Sequence, residues 1–192
     1  MTELSHQLRS YYGLHDHQLQ VIINDFEHRN YQVGEVYLSR GSFHPGIAFI
    51  ESGYFRIFDI QERTGKEITQ WISGPGQFIT DLRSFAFDFP SRWQIEALTS
   101  ASVFHISKER YRMLDQRIPE WKELEGMFMA KCFITIENRV HDLLSLTAEE
   151  RFDQLFSLDA DIFNQVPLRH LASMMGMTPE TLSRIRAKKL TG

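Results

Sequence analysis

Apolar residues recur at helical spacing through the first 26 positions. Leu14, Leu19, Ile22, Ile23 and Phe26 fall near a 3.6-residue period, which predicts a helical N-terminus. From residue 31 to residue 106 the period changes. The runs VGEVYLSRG, GIAFIESGYFRIFDI, TGKEITQWISGPGQFI and WQIEALTSASVFHIS are short, alternate apolar with polar positions and are punctuated by glycine. They predict antiparallel strands and tight turns, closed into a barrel or a double-sheet roll. Residues 61–66 (QERTGK) read as a hairpin tip, and GPGQF as a turn feeding a short helical stretch over residues 81–85. Helical spacing returns after Pro119 and carries Leu124, Phe128, Phe133, Ile136, Val140, Leu143 and Leu144 to about Leu146. That is more apolar surface than one face against the roll requires, and the seam of a homodimer is its natural use. Residues 147–164 (TAEERFDQLFSLDADIFN) add an amphipathic helix opened by a Thr147–Glu150 capping box, then an acidic connection.

The segment from Pro167 onward, PLRHLASMMGMTPETLSRIRAKK, has its own grammar. Leu168, Leu171, Ala172 and Met175 form one short helical face, Gly176 follows, and Leu182 and Ile185 form a second. Pro167 suits a first helical turn, Gly176 tolerates the positive φ of a sharp turn, Thr178 caps the second helix and Pro179 takes its first position. Ala172, four residues before the glycine, lets two helices cross closely. The pattern is that of a helix-turn-helix, and it leaves the polar residues of the second helix off the buried stripe.

Charge agrees with that reading. The last 28 residues hold five Lys/Arg (Arg169, Arg184, Arg186, Lys188, Lys189) against Glu180 alone, on a chain of net charge −4. A cationic end on an acidic body fits a protein that touches phosphates with one module. In that module Arg184 can donate bidentately to guanine, Glu180 can accept from cytosine N4, and Ser183 can serve a base edge or a phosphate. Arg186, Lys188 and Lys189 fit phosphate neutralisation. The remaining composition is that of a globular protein, with 42% hydrophobic and 24% charged residues over 192 positions. No apolar run approaches a membrane span and the N-terminus lacks a signal-peptide core, so a cytoplasmic protein is expected.

Other chemistry is weakly represented. The single cysteine, Cys132, excludes an intramolecular disulfide and a multi-thiolate cluster or zinc site within one chain. His15 and His17 point about 100° apart from their helical neighbours and would not converge on one ion. A cupin-like enzyme would need several ligands inside the roll, where only His44 and His105 are available, and no nucleophile triad, phosphate loop or carboxylate pair stands out. No enzyme is expected. A haem would need His44, His105 or His141, each more readily explained as a surface or core residue, so no cofactor is expected. A signalling module that binds a partner protein is the alternative function.

The VGEVYLSRG, FIESGYFRIF and GPGQFI segments of the roll, the IPEW start of the long helix, AEER over residues 148–151 and LASMMGMTPETLSR together resemble the Crp/Fnr superfamily of bacterial transcription regulators, across nearly the entire chain. The resemblance implies an α+β fold: a cyclic-nucleotide-binding-like, jelly-roll-like sensor over residues 1–118, a dimerisation helix over 119–146 and a helix-turn-helix domain over 147–192. It implies a homodimer on a pseudopalindromic double-stranded DNA operator, with RNA polymerase and an unidentified small effector as further partners. The family's base-reading Glu, Ser and Arg map onto Glu180, Ser183 and Arg184, and Thr178 and Thr181 stand where relatives touch phosphate. Pro179 replaces a contact residue, and the chain ends at Gly192 without room for a wing. The family's ribose-binding Gly-Glu pair and phosphate-binding Arg-Ser/Thr pair correspond to Thr80-Asp81 and Ser91-Arg92. The shorter acid, the added bulk and the displaced arginine argue against cyclic AMP, leaving these four as candidate effector contacts.

Overall fold

The computed structural model describes the backbone of residues 2–191 and the side chains of residues 3–189. Two helices, α1 (Thr2–Tyr12) and α2 (Asp16–Ile23), open the chain. The N-terminal helical period is thus broken once, at Gly13, whose φ of +74° closes α1 with a 2.8 Å bond from its N–H to the Arg9 carbonyl. Eight strands follow: β1 (Glu27–Tyr31), β2 (Val36–Leu38), β3 (Gly46–Ser52), β4 (Phe55–Ile60), β5 (Glu67–Ser73), β6 (Phe78–Ile79), β7 (Gln94–Ala97) and β8 (Ala101–Ser107). They form two four-stranded antiparallel sheets, ordered β1-β8-β3-β6 and β2-β7-β4-β5. The inner faces bury Phe55, Ile79, Ile95 and Val103 completely, as expected where alternate residues of two facing sheets interdigitate. A short helix, α3 (Leu82–Phe87), interrupts the roll after β6 and is capped by Asp81, whose carboxylate accepts from the Arg83 and Ser84 N–H groups.

Beyond the roll come α4 (Lys108–Arg117) and the long α5 (Trp121–Ser145). Only the first half of α5 is buried in the chain. Tyr12 stacks between Trp121 and Phe128, at 5.4 and 4.6 Å between ring centroids, joining α1 to α5. Large side chains buried to this extent contribute about 1.5–3 kcal/mol each, so the start of α5 is a fixed part of the N-terminal domain. From Phe133 onward its apolar residues are exposed: Phe133 is 68% and Leu144 83% exposed, with Val140 between them on the outward stripe, while Ile136 borders the roll and Leu143 the cleft beneath α8.

Four helices finish the chain: α6 (Ala148–Leu158), α7 (Ile162–Gln165), α8 (Leu168–Met174) and α9 (Pro179–Thr191). The expected capping box opens α6, with Thr147 and Glu150 bonded reciprocally. Pro167 sits one residue before α8 rather than inside it, and Gly176 adopts φ +66° between α8 and α9. Phe152, Phe163, Leu171, Ala172, Leu182 and Ile185 form the small core of this domain, which Tyr54 and Ile72 of the roll complete. Thr69 N–H of β5 also donates to Ser173 Oγ of α8 at 3.0 Å, and Tyr54 OH to Asp159 at 2.9 Å. The helical domain is therefore docked on the roll.

Candidate nucleic-acid interface and sensor cavity

Leu182 and Ile185 are the inward anchors of α9, at 0% and 4% exposure. Helical geometry then fixes what faces outward: Glu180, Ser183 and Arg184 form one exposed stripe. No side chain of the three makes a hydrogen bond or ion pair with another described residue, so their polar groups are presented to solvent. Thr178 caps the helix, its Oγ1 accepting from Thr181 N–H at 3.2 Å and donating to Thr181 Oγ1 at 3.1 Å. Both threonines stand at the helix N-terminus, where unpaired N–H groups and the dipole favour a phosphate.

The other cations of α9 are already engaged. Lys188 Nζ lies 3.0 Å from Glu149, Lys189 Nζ 2.7 Å from Asp153, and Arg186 Nη2 3.3 Å from Asn164 Oδ1. The Asp153 carboxylate raises the Lys189 pKa, so that lysine stays charged within its pair. Periodicity could not show these partners because they come from α6 and α7, up to 39 positions earlier. A groove between α6 and α9, lined by Thr147, Glu149, Arg184 and Lys188 among others, places the capped N-terminus of α6 beside the same surface. The capping box was the only sequence signal for that neighbour.

In the sensor, a cavity of 360 Å³ lies between β5, the β6–α3 turn and α5. Of the four candidate effector residues, Thr80 and Asp81 line it, whereas Ser91 and Arg92 do not. Ser91 is buried and donates to Asp81 Oδ2 at 2.6 Å. Arg92 lies just ahead of β7, 62% exposed, with Nε 3.0 Å from Asp59 and its guanidinium over Trp93. The expected four-residue contact is thus two wall residues, one internal partner and one outward-facing ion pair. Thr80 Oγ1 is buried with no hydrogen-bond partner among the described residues. Trp71, Trp93 and Cys132, which supply much of the apolar wall, were not singled out for this role by pattern.

A second cleft of 460 Å³ separates β5 and α5 from α6 and α8, with Trp71 on its wall as well. Arg139 of α5 lies over the Trp71 ring, 5.1 Å from its centroid, and donates to the Met174 carbonyl at 2.6 Å. Arg151 donates to the Met175 carbonyl at 2.9 Å. Two guanidinium groups therefore cap the C-terminal end of α8, where helix carbonyls lack partners and positive charge is favoured.

His44 and His105 are buried in the roll on either side of Tyr37, whose hydroxyl is 3.1 Å from His105 Nδ1, and burial lowers their pKa values to about 3 and about 4. His141 is on the exposed surface of α5. Among the described residues no group of three or more His, Cys, Asp or Glu could hold a metal, and no helix is long and apolar enough to cross a membrane.

No protein-family model and no curated protein matches the sequence. Solved structures do. FixK2 from Bradyrhizobium japonicum superposes with a TM-score of 0.71 at 19% identity, over 86% of this chain and 85% of that one. The catabolite activator protein of Thermus thermophilus gives 0.59 at 22% identity, over 95% and 85%. The c-di-GMP-responsive global regulator CLP of Xanthomonas campestris gives 0.65 at 16% identity, over 92% of each chain. The roll, the long helix and the docked helix-turn-helix thus give this chain the fold of the Crp/Fnr transcription regulators.

Proposed function

We propose that this chain is a cytoplasmic, homodimeric transcription regulator that reads a pseudopalindromic DNA operator and performs no catalysis. The carrying observation is the exposed stripe of Glu180, Ser183 and Arg184 on α9, presented by a helix-turn-helix whose turn, cap and core agree. A recognition helix inserts its N-terminal half into the major groove, and Arg184 and Glu180 have the donor and acceptor chemistry to discriminate guanine and cytosine there. The outward apolar stripe on α5 supports a second copy across a two-fold axis, which would set two α9 helices against successive major grooves. Thr178 and Thr181 serve the phosphates beside α9. Lys188, Lys189 and Arg186 reach phosphate by exchanging their present partners. The roll takes a small effector, and RNA polymerase is the expected protein partner once the dimer is on DNA.

Selection of bound duplexes from a random pool, run with and without cyclic AMP, tests the reading. A pseudopalindrome enriched equally in both arms is the expected outcome. On the selected duplex, Arg184→Ala should cost about 1–3 kcal/mol and relax discrimination at one position of each half-site. Enrichment only with the nucleotide would overturn the effector part of the reading. No enrichment in either arm, or an Arg184→Ala chain that binds as tightly as its parent, would overturn the DNA part and favour a protein-binding role.

A further inference from the structure

β5 is the edge strand of its sheet, and α8 lies against it. The Thr69 N–H finds its acceptor in Ser173 Oγ of α8, at 3.0 Å. Three residues earlier on α8, His170 is 5% exposed. Arg56 of β4 and Glu67 of β5 face it across the junction, and Arg169 stands beside it on α8. Arg56 is itself buried, with Nη1 2.7 Å from Glu67 and 3.6 Å from Glu96 of β7, and its Nε donates to Thr69 Oγ1 at 2.9 Å. The remaining neighbours meet α8 elsewhere. α9 packs on it through Leu182 and Ile185, and the guanidinium groups that α5 and α6 bring, Arg139 and Arg151, sit at its far end on the Met174 and Met175 carbonyls.

The hydrogen bond that His170 makes fixes its protonation state. Arg169 Nε donates to His170 Nε2 at 3.2 Å, so that nitrogen carries a lone pair and the ring is neutral. A proton on Nε2 would set two donors against each other and add a third cation beside Arg56 and Arg169, in a site where burial already opposes charge. The nearby acids, Glu67 and Glu96, are already paired with Arg56. Separation of α8 from β5 returns the imidazole to water and takes it away from Arg56. We propose that His170 is a proton-sensitive latch: acidification favours separation of α8 from β5 and so releases the helix-turn-helix from the roll, while the roll stays folded. Burial, then Arg56 and Arg169, lowers the His170 pKa to about 4 in the docked chain, against 6.5 for a free imidazole. The docked value lies below the undocked one, so docking is full above about pH 6.5 and weakens as the pH falls toward 4. Between pH 7 and pH 5.5 the docking constant drops about eightfold. That undocking alters DNA binding rests on the regulator reading; the latch itself does not.

Hydrogen exchange of single amides, followed by NMR in the full chain without DNA, reads the latch directly. Ser173 accepts from the Thr69 N–H only while α8 is docked, so the Thr69 protection factor, corrected for the pH dependence of intrinsic exchange, measures docking. It is expected to fall about eightfold from pH 7 to pH 5.5. Amides of β8, inside the other sheet, report opening of the roll and carry any contribution of His44 and His105. His170→Gln keeps an acceptor for Arg169 and takes up no proton. In that chain the fall at Thr69 should shrink below about twofold, with β8 behaving as in the parent. A Thr69 protection factor that is flat with pH in the parent, or that falls as steeply in His170→Gln, would overturn the proposal. If His170→Gln leaves Thr69 unprotected at both pH values, the imidazole resonances of the parent decide. His170 should be neutral at pH 5.5, and an imidazolium there with Thr69 still protected would equally sink the latch. No step requires DNA, so failure of the latch leaves the DNA reading standing, and a chain that binds no duplex is still scored for the latch.

Discussion

Arg139 touches both Trp71, a wall residue of the roll cavity, and the C-terminal end of α8, and its replacement by methionine should loosen the helical domain from the roll. The half-buried guanidinium makes a 2.6 Å charge-assisted bond to the Met174 carbonyl and lies 5.1 Å from the Trp71 centroid. Burial lowers its pKa, yet an arginine stays charged across the physiological range. A hydrogen bond to a charged group contributes about 1.5–3 kcal/mol, and a partly desolvated cation–π contact about 0.5–2 kcal/mol. Methionine retains the packing of the stem, so Arg139→Met should cost about 2–5 kcal/mol on these contacts. Urea unfolding followed by tryptophan fluorescence reports the roll and α5, which hold all three tryptophans (Trp71, Trp93, Trp121), with Trp71 also sensing the cleft beneath α8. Far-UV circular dichroism reports the helices of both domains. The expected signature is two transitions that coincide in the parent and separate in the variant, the helical one moving to lower urea. A double-mutant cycle with Trp71→Leu isolates the ring contact and should return a coupling of about 0.5–2 kcal/mol. A coupling within about 0.3 kcal/mol of zero, or an Arg139→Met loss below about 0.5 kcal/mol, would refute the reasoning.

Other perturbations follow from the same geometry. Phe133→Glu with Val140→Glu places charge on the outward stripe of α5, and sedimentation should show a dimer become a monomer; a persistent dimer would move the seam elsewhere. Glu149→Gln with Asp153→Asn releases Lys188 and Lys189 from their α6 partners, and should tighten duplex binding and steepen the salt dependence by up to about 2 in log–log slope. His44 and His105 are neutral bases whose folded pKa values, about 3 and about 4, lie below their ordinary value of 6.5. Protons are then taken up by the unfolded chain first, so stability is full above about pH 6.5 and falls as the pH drops toward the folded values. At pH 5 the loss is on the order of 2 kcal/mol for each, and His105→Gln should flatten the urea midpoint between pH 7 and pH 5.

How much of this was legible depended on whether the determining contacts were local. The helix-turn-helix could be read residue by residue because each of its signals acts within a few positions: Gly176 at positive φ, Thr178 on the Thr181 N–H, Leu182 and Ile185 four or fewer residues apart on one face. The capping box at Thr147 and the outward stripe of α5 were legible for the same reason. Strand β1 was not, because EHRNY lacks apolar alternation and exists by pairing with β8, Glu27 opposite His105. The break at Gly13 falls just before the periodic run that begins at Leu14, and its positive φ closes α1 there. Asp81 and Ser91 aligned with ligand-binding positions, but in space they satisfy each other. A pattern shows which residue types are at hand; only the fold shows whether their hydrogen bonds are already spent.

Under the proposed function, the docking of α8 on β5 bounds how strongly the roll can influence α9. Trp71 lines both the cavity of the roll and the cleft beneath α8, where Arg139 lies over its ring, so a molecule in that cavity and Arg139 would share this one side chain. A ligand shifts an equilibrium only by its differential affinity for the two states, and the ring contact is worth about 0.5–2 kcal/mol. Transmission by that contact alone therefore changes DNA affinity by roughly 2- to 30-fold. In the proposed dimer a larger response requires both copies of α5 to move together, because Cys132 and Ile136 border the roll cavity while Phe133 and Val140 face outward. The two routes separate experimentally. Trp71→Leu removes the first and leaves the second, so a ligand response that survives this substitution undiminished belongs to the long helices.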